Sequence, residues 1–202
     1  MAAAGGNFSD EEFWEVCAEL QQPAVAGNWE LLLETSGISI YRLLEEQHLG
    51  ISSGILLLEA KEVSRCINVF CSPLELYEKE CDGETLVYWQ VAYPFPMYNR
   101  DYVYIRQLRE LDLEGRKIYV ILAKSTSSSQ FPERSGVIRV SQYQQRLAIE
   151  SDGKGGSRVF MYYFDNPGGL IPSWLINWVT RNGVPSFLKD LEEAYHKYPK
   201  KK

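Results

Sequence analysis

The stretch VYWQVAYPFPMYNRDYVY, Val87–Tyr104, holds seven aromatic residues in eighteen positions. Such rings can do one kind of chemistry: an apolar body with a polar tip suits a ligand wall, and a ring face attracts a cation. In a strand, alternate residues share a face. Val87, Trp89, Val91 and Tyr93 therefore point one way, and Tyr88, Gln90 and Ala92 the other. Further along, Tyr102, Tyr104 and Arg106 share a face, as do Val137, Tyr143, Gln145 and Leu147. Rings gathered on one side could cage a quaternary ammonium, each face contributing about 0.5–2 kcal/mol. Pattern alone favours half-buried sheet residues over a cage, because strands are rich in aromatics.

Other reactive groups are sparse. The two histidines, His48 and His196, lie near no nucleophile in sequence, and no GxSxG elbow occurs. Glu11–Glu12 and Glu192–Glu193 fall on expected solvent faces. Asp101 and Glu150 are weak candidates for the acid or base of an enzyme. Cys17, Cys66, Cys71 and Cys81 show no CxxC spacing, so no metal site and only reduced thiols are expected. No Gly-rich phosphate loop is present, and no cofactor is implied. The net charge of -6 argues against nucleic-acid binding, although the end, KYPKKK, is locally basic. No run of about 18 apolar residues predicts a membrane span. The start, MAAAGGNFSDEEFWE, lacks the basic and apolar regions of a secretory signal. A cytoplasmic protein with an unused sequon at Asn7 is expected.

The elements that must position the rings follow from spacing. Ser9 and Glu12 form a capping box flanked by Phe8 and Phe13, and Phe13, Val16, Cys17 and Leu20 make one buried helical stripe that ends at Pro23. WELLLETSGISIYRLLEE reads as strands. Residues 49–76 mix short apolar runs without a period and fit strand or helix. Strands are expected over Thr85–Tyr93, Asp101–Leu111 and Lys117–Lys124, the last two forming a hairpin around Gly115. Val137–Glu150 and Arg158–Asp165 read as another hairpin. Short turns imply antiparallel pairing, and no βαβ spacing occurs. A helix opens at Pro172, carries Trp174, Leu175, Trp178 and Val179 on one face, and is kinked at NGVP, Asn182–Pro185. One domain is expected, over residues 8–198, followed by the basic tail 199–202.

The motifs YPFPMYNRDYVYIRQ, ERSGVIRV, SRVFMYYFDNPGGLIPSWLINW and GVPSFLKDL resemble the START lipid-transfer family, in order, over residues 8–46 and 75–196. The resemblance implies an α+β helix-grip fold. In it a curved antiparallel sheet wraps a long C-terminal helix around an internal lipid tunnel. It also implies a non-enzymatic carrier that takes one phosphatidylcholine and exchanges it between membranes. By motif position Trp89, Tyr102 and Tyr143 resemble the choline cage of the phosphatidylcholine-binding branch, and Gln145 a polar lipid contact. Trp174, Leu175, Trp178 and Val179 would form a lid that touches the membrane transiently, with the protein a monomer. The segment 49–74 is unlike the family: its one arginine, Arg65, does not match the arginine that meets the lipid phosphate. Two alternatives stay open: an enzyme on the same hollow fold, or a poor lipid binder acting through protein contacts.

Overall fold

A computed structural model describes residues 7–23, 29–35, 38–43, 52–60, 73–93, 95–154 and 157–169. The first helix, α1, spans Asp10–Gln21. Its capping box is complete: the Glu12 N–H donates to Ser9 Oγ at 3.2 Å, and the Ser9 N–H to Glu12 Oε2 at 2.7 Å. Phe8 and Phe13 meet edge to face at 6.4 Å, which fixes the angle at which the chain enters the helix.

Among the described residues, ten strands make one sheet: β1 (Trp29–Thr35), β2 (Ile38–Leu43), β3 (Ser52–Ala60), β4 (Pro73–Cys81), β5 (Glu84–Val91), β6 (Asn99–Leu113), β7 (Arg116–Ser125), β8 (Val137–Val140), β9 (Tyr143–Ser151) and β10 (Ser157–Asp165). Their order is β1-β2-β3-β10-β9-β7-β6-β5-β4, with β8 beside β6. Two hairpins turn on two-residue loops with both residues at positive φ, Asp82–Gly83 and Glu114–Gly115, the form that suits the twist of paired strands. The ambiguous segment resolves in part. Ser52–Ala60 is a strand inside the sheet, bonded along its length to β10 and also to β2. An apolar run with neighbours on both sides need not alternate, which is why its period was unreadable. Pro73 begins β4, an edge strand, where a missing N–H is tolerated.

The expected long strand Val137–Glu150 is instead two. β7 pairs with β6 only over Tyr104–Leu113. The chain loops away after Ser125 and returns as β8, pairing in parallel with Asn99–Tyr102 of the same strand. That register puts Val140 with Tyr102, and Val137 with Arg139 on the opposite face. Val137 is therefore not a neighbour of Tyr143 and Gln145.

The sheet has two unlike faces. On one, Phe13, Val16, Cys17 and Leu20 of α1 pack with Phe8 on Ile105, Ile118, Val120, Leu122, Ala148 and Phe160. A neighbouring cluster on this face stacks Tyr88 on Phe131 at 4.8 Å. The other face is aromatic: Trp89, Tyr102, Tyr104 and Tyr143 with Val87, Val91, Ala123 and Val140, flanked by Tyr93 and Tyr163. The expected C-terminal helix, with Trp174, Leu175, Trp178 and Val179, lies outside the described residues.

Candidate functional site

The three rings that the family resemblance points to, Trp89, Tyr102 and Tyr143, converge. Trp89 and Tyr102 are ladder partners on β5 and β6, so the register itself brings them together, at 5.1 Å between ring centroids. Tyr143 comes from β9, with β7 lying between. Strands two apart are separated by about 9.6 Å, so the rings must lean over the strand between them. Small residues there allow it: Ala123 sits buried within the cluster, and the Oγ of Ser125 accepts the Tyr143 N–H at 2.8 Å. Tyr143 then meets Tyr102 edge-on at 5.6 Å and Tyr104 at 4.9 Å. Gln145, two residues on, accepts from the Tyr143 hydroxyl at 3.1 Å and donates to Met161 Sδ at 3.4 Å.

Three members of the cluster escaped the sequence reading. Tyr104 was placed on the right face but given no role. Tyr163 stands edge-on to Tyr143 at 5.7 Å. Asp165, at the end of β10, accepts from the Tyr102 hydroxyl at 2.8 Å and from the Tyr163 hydroxyl at 3.0 Å. The signal is the alternation in YYFD, which puts Tyr163 and Asp165 on one face of the expected strand Arg158–Asp165, but alternation does not say which rings of other strands lie beside them.

Burial sets the protonation of the site. It pushes the Tyr102, Tyr143 and Tyr163 hydroxyls well above their ordinary range, and the Asp165 charge adds to the effect. Tyr104 is pushed up to about 12, again chiefly by burial. All four phenols therefore stay neutral near neutral pH and are hydrogen-bond donors, not nucleophiles. Burial also raises Asp165, against the two phenol hydrogen bonds and the nearby Arg100. The resulting surface is apolar, rich in ring faces and backed by a carboxyl group. That combination suits a weakly hydrated cation better than an anion.

The acids an enzyme would need are elsewhere. Asp101 accepts from Arg139 Nε at 2.7 Å and Nη2 at 2.9 Å. It shares the face of Val103, opposite the rings. Glu150 is bonded to Arg116 at 2.9 Å and Arg158 at 3.2 Å, near Cys17 of α1. Asn7, the sequon residue, donates its side-chain amide to Glu84 Oε2 at 2.6 Å. Among the described residues, no group of three or more His, Cys, Asp or Glu could hold a metal ion, and no helix is long and apolar enough to cross a membrane.

The sequence profile of the START domain matches residues 18–201. A human protein named phosphatidylcholine transfer protein is 61% identical over 213 aligned positions, covering 100% of both chains. That alignment is longer than this chain, so it carries gaps on this side. The bovine protein of the same name is 57% identical, covering 99% of this chain and 100% of its own. Among solved structures, human STARD10 superposes with a TM-score of 0.74 at 21% identity, over 96% of this chain and 82% of its own.

Proposed function

Because the chain belongs to the START domain family, we propose that it is a lipid carrier that binds one phosphatidylcholine and transfers it between membranes without chemical change. The observation that carries the reading is the meeting of Trp89, Tyr102 and Tyr143 from three strands on one face of the sheet. In this reading their faces hold the choline, with Gln145 beside them as a polar contact. The relatives' names support the choice of lipid.

A two-tailed phospholipid carries about 30 methylenes, and at about 0.8 kcal/mol each their exposure to water costs on the order of 25 kcal/mol. A carrier must hide that surface and open only at the bilayer. The segment after Gly169 is read as the cover, with Trp174 and Trp178 at headgroup level and Leu175 and Val179 beside them. The tail KYPKKK would add weak attraction to anionic lipid. The unit is read as one START domain over residues 8–198, acting as a cytoplasmic monomer. The enzyme reading is disfavoured, since Asp101 and Glu150 are held in ion pairs away from the rings.

Replacing Trp89 by Ala tests the cage. Phosphatidylcholine uptake from vesicles is expected to fall several-fold more than phosphatidylethanolamine uptake, about 1–2 kcal/mol for a lost cation–ring contact. Equal loss of both lipids would remove the cage. A chain that native mass spectrometry finds empty after exposure to phosphatidylcholine vesicles would remove the carrier.

A further inference from the structure

The ring cluster contains one acid that the carrier reading leaves unused. Asp165 is 5% exposed. The other two buried acids among the described residues, Asp101 and Glu150, are bonded to arginines on the opposite face. Asp165 instead takes its hydrogen bonds from two phenols of the ring cluster, Tyr102 and Tyr163. Its ladder partner is Tyr143, so it touches or adjoins three of the rings. A buried carboxylate satisfied only by neutral donors is costly to ionise. A cation arriving on the ring faces would add to the through-space stabilisation that Arg100 gives it. A phenol that donates to a carboxylate is also polarised by it, which strengthens the hold of its ring on a cation.

We propose that Asp165 determines the headgroup specificity of this site: it positions Tyr102 and Tyr163 and sets beside their rings a carboxyl group whose negative charge a bound cation stabilises, selecting lipids that carry a permanent quaternary cation. This rests on the carrier reading above.

The titratable and charged groups that face Asp165 are Tyr102 and Arg100 from β6, Tyr143 from β9 and Tyr163 from β10. Arg100 gives its donors to the carbonyl oxygens of Pro167, Tyr98 and Gly168 and acts on the carboxylate through space. The three phenols are pushed upward, so Asp165 is the member of this set that titrates in acid. Its own raised pKa means that the empty folded protein holds this proton more tightly than the unfolded chain does. The stability this group contributes is therefore present below the ordinary carboxylate value and lost as pH rises through the raised one. A bound cation reverses the preference. Affinity for a cationic headgroup then rises with pH through that window and falls in acid.

The test exposes the full chain to vesicles of equal phosphatidylcholine and phosphatidylglycerol, which share tails and phosphate but differ in the cation. Native mass spectrometry reads the ratio of the two lipids bound. Asp165→Asn keeps an acceptor for both phenols and removes the charge. The ratio is expected to fall about tenfold, the effect of one pK unit of charge interaction, and to recover in part in Asp165→Glu. In the unsubstituted chain the ratio should decline as pH falls through the raised carboxylate range of Asp165, while in Asp165→Asn it should be flat. The empty Asp165→Asn protein should melt no lower than the parent at neutral pH. An unchanged ratio in Asp165→Asn, or equal loss of both lipids with a lower melting temperature, overturns the proposal. If Asp165→Asn does not fold, the pH profile of the unsubstituted chain decides, and a flat profile overturns it. A parent chain that takes up neither lipid sinks the carrier reading itself, whereas one that takes up phosphatidylcholine without these dependences sinks only the role of Asp165.

Discussion

Neighbouring residues of one strand meet opposite fates. Trp89 joins the ring cluster, while Tyr88 turns to the other face, stacks on Phe131 and donates to Gln90 Oε1 at 3.1 Å. The same alternation separates Tyr102 from Asp101, whose partner Arg139 also donates to the Phe131 carbonyl at 3.1 Å. Arg139 thus holds both a buried charge and the loop that covers Tyr88. Asp101 is 1% exposed, so removal of its partner leaves an uncompensated buried carboxylate. Arg139→Ala is expected to cost about 3–5 kcal/mol, read as a lower urea midpoint. A loss under about 1 kcal/mol, the worth of an exposed pair, would show that water reaches Asp101 freely.

Among the elements, β7 decides whether the rings can meet. It lies between β6 and β9, and its Ala123 and Ser125 leave the space over which Tyr104 and Tyr143 approach to 4.9 Å. Ala123 is 1% exposed and packed within the cluster. Ala123→Leu should overpack this point at a cost of about 1–3 kcal/mol and spread the rings. Phosphatidylcholine uptake should then fall while far-ultraviolet circular dichroism still reports a folded sheet. Unaltered uptake would mean that the approach of β6 and β9 rings plays no part in binding. On the opposite face the same sheet is anchored by α1, whose stripe is fixed by the capping box and the Phe8–Phe13 contact. Helix and rings therefore occupy different sides of one layer, and a change in either can be read separately.

The whole molecule has the START fold, with the sheet order and the N-terminal helix placed as described above. The aromatic face carries Trp89, Tyr102 and Tyr143 at 8%, 3% and 5% exposure. A lipid that binds the folded chain and not the unfolded one stabilises it by mass action, about 2.7 kcal/mol at a free concentration one hundred times Kd. The phosphatidylcholine-loaded chain is expected to melt several degrees above the delipidated chain, with the gap growing as lipid is added. Equal melting temperatures at saturating lipid would contradict specific uptake.

The amino-acid sequence by itself determined what local rules govern. The Ser9–Glu12 box and the Phe13, Val16, Cys17 and Leu20 stripe depend on neighbours within one or two turns. The side on which Trp89 and Tyr102 lie depends only on alternation. The Asp82–Gly83 hairpin is a local signal of the same kind, an Asp-Gly pair whose two residues take positive φ. The likeness to the START family implies the fold class and points to Trp89, Tyr102 and Tyr143. Only the tertiary structure decided the rest, because it depends on pairings between distant segments that no local period encodes. Val137–Val140 left its expected strand because β6 had an unpaired stretch to fill at Asn99–Tyr102. Ser52–Ala60 became a strand because β2 and β10 bond it from both sides. Asp165 joined Tyr102 across 63 residues of chain, since the register of β10 against β9 sets it beside Tyr143 and the rings fold over β7 to reach it.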